Sequence, residues 1–150
     1  MGVLVRSDGC RDLGSALGQQ DFCSAFMESR AEKWCEDLYT LARMAETQPQ
    51  ASYAVFTKGL SSKWKYHIHC TEHSPKILHN LDQIIDTAFL PAITGGGFDP
   101  SRPLRTLLTL PARLGGLAIP VLHETSLDEH RASLTVTQPL VEMIVGNEQC

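Results

Sequence analysis

The chain has 150 residues, of which 43% are hydrophobic and 20% are charged, so the composition favours one globular domain and argues against disorder throughout. A formal net charge of −4 excludes a general attraction to phosphate, so nucleic-acid binding would require a local basic patch. No apolar stretch suits a signal peptide or membrane span, and the five cysteines are an odd count without a CxxC pair. We therefore expect an intracellular, soluble protein with reduced thiols and no membrane partner, in the cytoplasm or the nucleus.

The first residues predict a short β-hairpin. Val3-Leu4-Val5-Arg6 contains strand-forming residues, and Ser7-Asp8-Gly9 is typical of a turn, because Asp-Gly tolerates positive φ. A second short strand is predicted from Leu13 to Leu17.

Helical periodicity begins at about Asp21 and continues to Glu46, where Gln48-Pro49 ends the first helix. A second helix is predicted after Pro49, and Gly59 is expected to bend or divide it. Its candidate core residues are Ala51, Val55, Leu60, Trp64 and Ile68.

Ser74-Pro75 predicts the start of a third helix, and Pro91 with Gly95-Gly96-Gly97 predicts its end. The apolar stripe of this helix comprises Ile77, Leu78, Leu81, Ile84, Ile85, Ala88 and Phe89.

The last third of the chain predicts shorter helices. Asp99-Pro100 can begin one that carries Leu104, Leu107 and Leu108, and a turn follows at 111–116. Thr125 and Asp128 have the spacing of a capping box for a helix over about 126–136, and another helix is predicted after Pro139. The predicted fold is mainly α, a single domain over 1–150 with about four to six helices and the N-terminal β-hairpin.

Four zinc-competent side chains lie close together in the sequence. They are His67, His69, Cys70 and His73. On a helix, His69 and His73 would share a face, but the paired spacing of structural zinc fingers is missing. We predict no metal site, and these four residues remain the candidates for a zinc-binding alternative.

A basic stretch runs from Lys58 to His79. It contains four lysines and one acid, Glu72, so its formal charge is +3 when the histidines are neutral. Trp64 and Tyr66 are interleaved with the lysines and could stack on bases or pack on sugars. The alternative is a solvated helix face with Trp64 in the core. The candidate nucleic-acid contacts are Lys58, Lys63, Trp64, Lys65 and Lys76.

Three strings resemble the region after the catalytic palm in reverse transcriptases of eukaryotic retroelements. They are RDLGSALG at 11–18, TQPQASYAVFTKGLSSKW at 47–64 and LTLPARLGGLAI at 108–119. The resemblance covers 3–120 and leaves 121–150 as a helical tail. It implies the primer-grip and thumb side, which cradles the template–primer duplex. Leu13 and Gly14 would belong to the primer-grip-like hairpin, and Lys58, Lys63 and Lys65 become candidate backbone contacts.

Polymerisation requires two metal ions held by aspartates, commonly including an adjacent pair, and this sequence has no Asp-Asp dipeptide. We therefore expect a non-catalytic fragment of an RNA-directed DNA polymerase, without catalytic residues or a cofactor, whose palm and fingers would precede Met1. Expected partners are an RNA–DNA or DNA duplex, the missing palm and fingers segment, or a second copy bound through exposed apolar surface. The alternatives are a helical protein-interaction module and the small zinc-binding module.

Overall fold

A computed structural model describes residues 8–96, 98 and 102–147. Within these ranges a two-stranded antiparallel hairpin precedes five continuous helical segments, which confirms the predicted mainly α fold. The strands are β1 (Gly9–Asp12) and β2 (Ser15–Gly18). The helices are α1 (Gln20–Ala45), α2 (Pro49–Val55), α3 (Ser61–Cys70), α4 (His79–Ile84), α5 (Leu90–Ile93), α6 (Arg102–Thr109) and α7 (Leu122–Asn147). π-helical turns over Phe56–Leu60 and Ile85–Phe89 join α2 to α3 and α4 to α5, and 3₁₀ turns cover Pro75–Leu78 and Ala112–Leu114.

The hairpin turn lies later in the chain than predicted, at Leu13-Gly14 and not at 7–9. Gly9 pairs with Gly18 inside the ladder, so the turn predicted at 7–9 is wrong for Gly9, and Val3–Arg6 lies outside the described residues. The turn is Leu13-Gly14, with φ of 48° and 88°. A two-residue hairpin loop of this kind needs positive φ at both positions, and leucine is a weak signal for such a turn.

One apolar face of α1 forms the largest part of the core. Its buried residues recur at three- and four-residue steps, which confirms the helix predicted over 21–46. These residues include Met27, Ala31, Trp34, Leu38, Leu41 and Ala45.

The π turn at Gly59 changes which residues of the second segment are buried. Leu60, Trp64 and Ile68 belong to the core as predicted. Ala51 and Val55 are exposed, and that part of the prediction is wrong because the wider turn rotates α2 relative to α3. The side chain that fills the place expected for Val55 is its fully buried neighbour Phe56.

The third segment begins at Pro75, as predicted, but continues past Pro91 to Ile93. The π turn Ile85–Phe89 lies immediately before this proline, and a wide turn is one of the local irregularities that accompany proline within a helix. Pro91 therefore lies in the first turn of α5 and does not end the segment.

The connection from α6 to α7 is held by backbone contacts and by Arg105. Gly115 has φ of 84°, and a side chain at Gly116 would overlap the backbone of Leu107 and Leu110. The buried guanidinium of Arg105 donates to the carbonyl oxygens of Ile119 and Pro120 at 2.8 and 2.9 Å. Its Nε also donates to Asp86 at 2.6 Å. The LTLPARLGGLAI segment at 108–119 is therefore a tightly packed connection between α6 and α7.

The chain's last described segment is one helix, α7, and not the two predicted around Pro139. Pro139 lies inside it, where it removes one hydrogen bond of the helix. The predicted cap at Thr125 is also wrong, because the helix begins earlier, at Leu122. Asp82 occupies the capping role: its carboxylate accepts from the backbone N–H groups of Leu122 and His123, both at 2.8 Å. Among the described helices, none combines the length and apolar character needed to cross a membrane.

Candidate nucleic-acid interface

The four predicted lysines are all exposed, but Lys63, Lys65 and Lys76 line different grooves. Lys63 lines a groove between α1 and α3, whereas Lys65 lines another groove beside Thr125 of α7. Residues two positions apart on a helix point about 200° apart, which explains the separation. Lys76 lines two other pockets, one beside α1 and one beside His123. The prediction of one basic face from Lys58 to Lys76 is therefore wrong, and contact of each lysine with nucleic acid stays a prediction.

Trp64 cannot present its ring to a base. The side chain is 0% exposed, and its ring packs edge-on against Phe56 with 5.3 Å between the centroids. Because stacking requires an accessible aromatic face, Trp64 is a core residue, and its assignment as a nucleic-acid contact is wrong. Tyr66 is 42% exposed and is the accessible aromatic side chain of α3.

Lys63 shares its groove with two cations of α1, Arg30 and Lys33. We call this site the basic groove; it has a volume of about 590 Å³. Its lining residues are Arg30, Lys33, Trp34, Asp37, Ser62, Lys63, Tyr66 and His67. Three cations against the single acid Asp37 give a formal charge of +2 when His67 is neutral. The groove is thus a local basic site on a chain of net negative charge.

Aromatic rings fix one end of the basic groove. The His67 ring lies 5.6, 5.4 and 5.3 Å from the rings of Phe26, Trp34 and Tyr66, measured between centroids. The guanidinium of Arg30 lies 5.1 Å from the centroid of Phe26, and that of Arg11 lies 5.4 Å from it. Arg11, from β1, therefore adds a further cation beside this end.

His67 remains a neutral member of this cluster at neutral pH. Burial lowers the pKa of its imidazole below the usual 6.5, and the nearby positive charges of Arg30 and Arg11 lower it further. Among the described atoms, its buried Nδ1 has no hydrogen-bond partner.

The hairpin is tied to the helix that carries Lys63. The Tyr66 hydroxyl donates to the carbonyl oxygen of Leu13 at 2.7 Å, and Ser15 shares a hydrogen bond with Thr71. The Leu13 side chain is 89% exposed at the tip. Leu13 and Gly14, assigned to the primer-grip-like hairpin by resemblance, thus lie beside a residue that lines the basic groove.

The zinc-competent residues lie in different surroundings. His67 lies among aromatic rings, His69 lies 3.5 Å from Glu129, and Cys70 is exposed. His73 is buried, and its Nδ1 lies 2.8 Å from the Thr71 carbonyl oxygen. Helix α3 ends at Cys70, so the helical face predicted for His69 and His73 does not exist. Within the described ranges, no group of three or more His, Cys, Asp or Glu residues is placed to hold a metal ion.

Sequence reasoning missed Arg30 and Lys33 because they lie far from Lys63 along the chain. Their three-residue spacing on the polar side of α1 is a signal, but an amphipathic helix carries many such pairs. Only the packing of α1 against α3 brings them to Lys63.

Comparison with protein-family models, with curated proteins and with solved structures finds no match to this chain. The similarity to reverse transcriptases therefore rests on the three strings in the sequence.

Proposed function

We propose that this chain is a non-catalytic, nucleic-acid-binding unit that corresponds to the primer-grip and thumb side of a retroelement reverse transcriptase. In this proposal the basic groove contacts the sugar–phosphate backbone of a template–primer duplex. The observation that carries the proposal is the convergence of Arg30 and Lys33 of α1 with Lys63 of α3, beside the hairpin tip.

The negative net charge does not oppose such binding. At physiological ionic strength the Debye length is about 8 Å, so distant surface acids are largely screened from a phosphate in the groove. The adjacent charges of Arg30, Lys33 and Lys63 therefore dominate there. Arginine and lysine differ usefully in such a site, because the guanidinium offers a fixed fork of donors and the ammonium acts as a point charge.

The proposed role is to hold a duplex and not to extend it. The sequence lacks the adjacent aspartate pair that polymerases commonly use to hold catalytic metal ions. Exposed Tyr66 offers an aromatic surface next to the cations, which suits packing on a sugar or base.

The test compares two triple variants with the same charge change. Arg30→Gln, Lys33→Gln and Lys63→Gln alter the groove, whereas Lys58→Gln, Lys65→Gln and Lys76→Gln alter exposed lysines outside it. We expect the groove variant to bind a labelled RNA–DNA hybrid at least about tenfold more weakly, since three backbone contacts are lost. Fluorescence anisotropy across a salt series measures both affinity and salt dependence.

The slope of log K against log salt should fall in magnitude by about 2 to 3 in the groove variant and stay unchanged in the control. Equal weakening of both variants would show that net charge, and not the groove, determines binding. A wild-type affinity that does not respond to salt would remove the phosphate-contact proposal.

A second candidate is a helical protein-interaction module. The observation that favours it is the exposure of apolar side chains along the second half of α7. Its partner would be a palm and fingers segment of a polymerase or a second copy of the chain.

A further inference from the structure

Helix α7 leaves the body of the protein halfway along its length. Leu122 and Ser126 are buried, and the Nδ1 of His130 lies 3.0 Å from the carbonyl oxygen of Ile68. Every residue from Leu134 to Gly146 is exposed. We call Leu134–Gly146 the apolar tail.

Six of the seven large exposed apolar side chains of the apolar tail form two stripes, and Val145 lies beside the first stripe. Leu134, Val141 and Ile144 follow each other at steps of seven and three. Val136, Leu140 and Met143 follow at steps of four and three, and all six side chains are between 54% and 71% exposed. At about 100° per residue the two stripes together span an arc of roughly 200°. The opposite side carries polar residues, including Gln138 and Glu142, which share a hydrogen bond of 2.9 Å.

The composition of the apolar tail is poor for an unsupported helix. Several residues are β-branched, Pro139 lies in the interior, and Gly146 lies near the end. Isolated helices shorter than about 12 to 15 residues are marginal in water even when their propensity is high. The helical form of this segment therefore depends on a partner that packs against its two apolar stripes.

The charge of the apolar tail and its exposed apolar area favour a second copy of the chain as the partner that covers it. Glu142 is the only ionisable residue of the tail, so two copies bring no close like charges onto the apolar stripes. Helices that lie on membrane surfaces carry lysine and arginine on their polar face, and the tail has neither. The six side chains expose on the order of 600 Å² per chain, so a pairing of two copies that covers all of them reaches the lower end of the range for stable interfaces.

We propose that the apolar tail of one chain packs against the apolar tail of a second copy in a two-fold symmetric dimer. The same surface then faces itself across the axis, so one set of side chains covers both partners. This inference does not rest on the proposed nucleic-acid role, since the tail and the basic groove share no residue.

The experiment is sedimentation velocity of the full chain over a concentration series without nucleic acid. We expect the wild-type chain to shift from monomer to dimer. Ile144→Glu should raise the concentration for half dimerisation at least ~100-fold, because dimerisation would bury a charge without a partner. Thr135→Glu adds the same charge on the polar side, four residues after Arg131, and should leave the transition unchanged.

Two further measurements keep the result decisive. The emission of buried Trp34 and Trp64 in Ile144→Glu should match the wild type, which shows that the body remains folded. Addition of vesicles of phosphatidylcholine and phosphatidylserine should not deplete the dimer. A wild-type chain that stays monomeric, one that transfers to the vesicles, or an equal effect of Thr135→Glu would overturn the inference.

Discussion

The carboxylate of Asp82 joins two helices that are distant in the sequence. It is 3% exposed, and it accepts hydrogen bonds from the backbone N–H groups of Leu122 and His123 and from the His123 Nδ1 at 2.7 Å. Donors at a helix N-terminus favour a negative partner, and a buried carboxylate requires such donors. Asp82 thereby fixes where α7 begins relative to α4.

Asp82→Asn should lower the free energy of unfolding by about 2 kcal/mol, because an amide has one acceptor oxygen and no charge to satisfy three donors. Urea unfolding followed by tryptophan emission measures the change. Asp128→Asn, at an exposed position in α7, is the control and should change stability by less than about 0.5 kcal/mol. Similar effects of the two substitutions would contradict the capping role of Asp82.

Some elements can be predicted from the sequence because they depend on interactions between residues that are close together along the chain. The buried stripe of α1 was predictable from spacing alone, since helical geometry places such residues on one side. The hairpin turn was not, because Leu13 adopts positive φ, which leucine seldom does. The basic groove was not predictable either: Lys63 could be identified as a candidate, but its partners Arg30 and Lys33 depend on how α1 packs against α3.

The continuity of α7 through Pro139 can be tested at the level of the helix. Proline is about 3 kcal/mol less favourable than alanine in a helix interior, so Pro139→Ala should strengthen the helix over the apolar tail. We expect slower hydrogen exchange of the tail amides and dimerisation at lower concentration. Pro103→Ala in the first turn of α6, where proline is tolerated, is the control and should leave the tail unchanged. Unaltered exchange in Pro139→Ala would mean that the proline does not limit the tail.

At the scale of the whole molecule, protonation of two imidazoles opposes folding: His67 is partly buried and His73 is buried. Burial lowers the pKa of His67 below 6.5, with contributions from Arg30 and Arg11. Burial also lowers the pKa of His73, against the opposing effect of its hydrogen bond to Thr71, while His130 lowers it further. In both cases the unfolded chain binds the proton more readily than the folded one.

The free energy of unfolding should therefore fall as pH decreases below 6.5, until it passes the lowered pKa values of the folded state. Well above 6.5 both histidines are neutral in both states and contribute no pH dependence. The slope is bounded by about 1.4 kcal/mol per pH unit for each histidine. Urea unfolding at a series of pH values measures it. The His67→Gln and His73→Gln double variant should show a flatter profile, and an unchanged profile would exclude these two groups as its origin.

The packing around Gly116 gives the motif LTLPARLGGLAI at 108–119 a structural explanation that involves no ligand. Any larger residue there would force Leu107 and Leu110 away, and the displaced loop would withdraw the two carbonyl acceptors from Arg105. Once deprived of them, the guanidinium would remain buried with Asp86 as its acceptor, and the end of the bundle would loosen. The conformation of Gly115 and the close packing of Gly116 thus account for Leu114-Gly115-Gly116 in this chain through the way α6 joins α7, without any contact to a ligand.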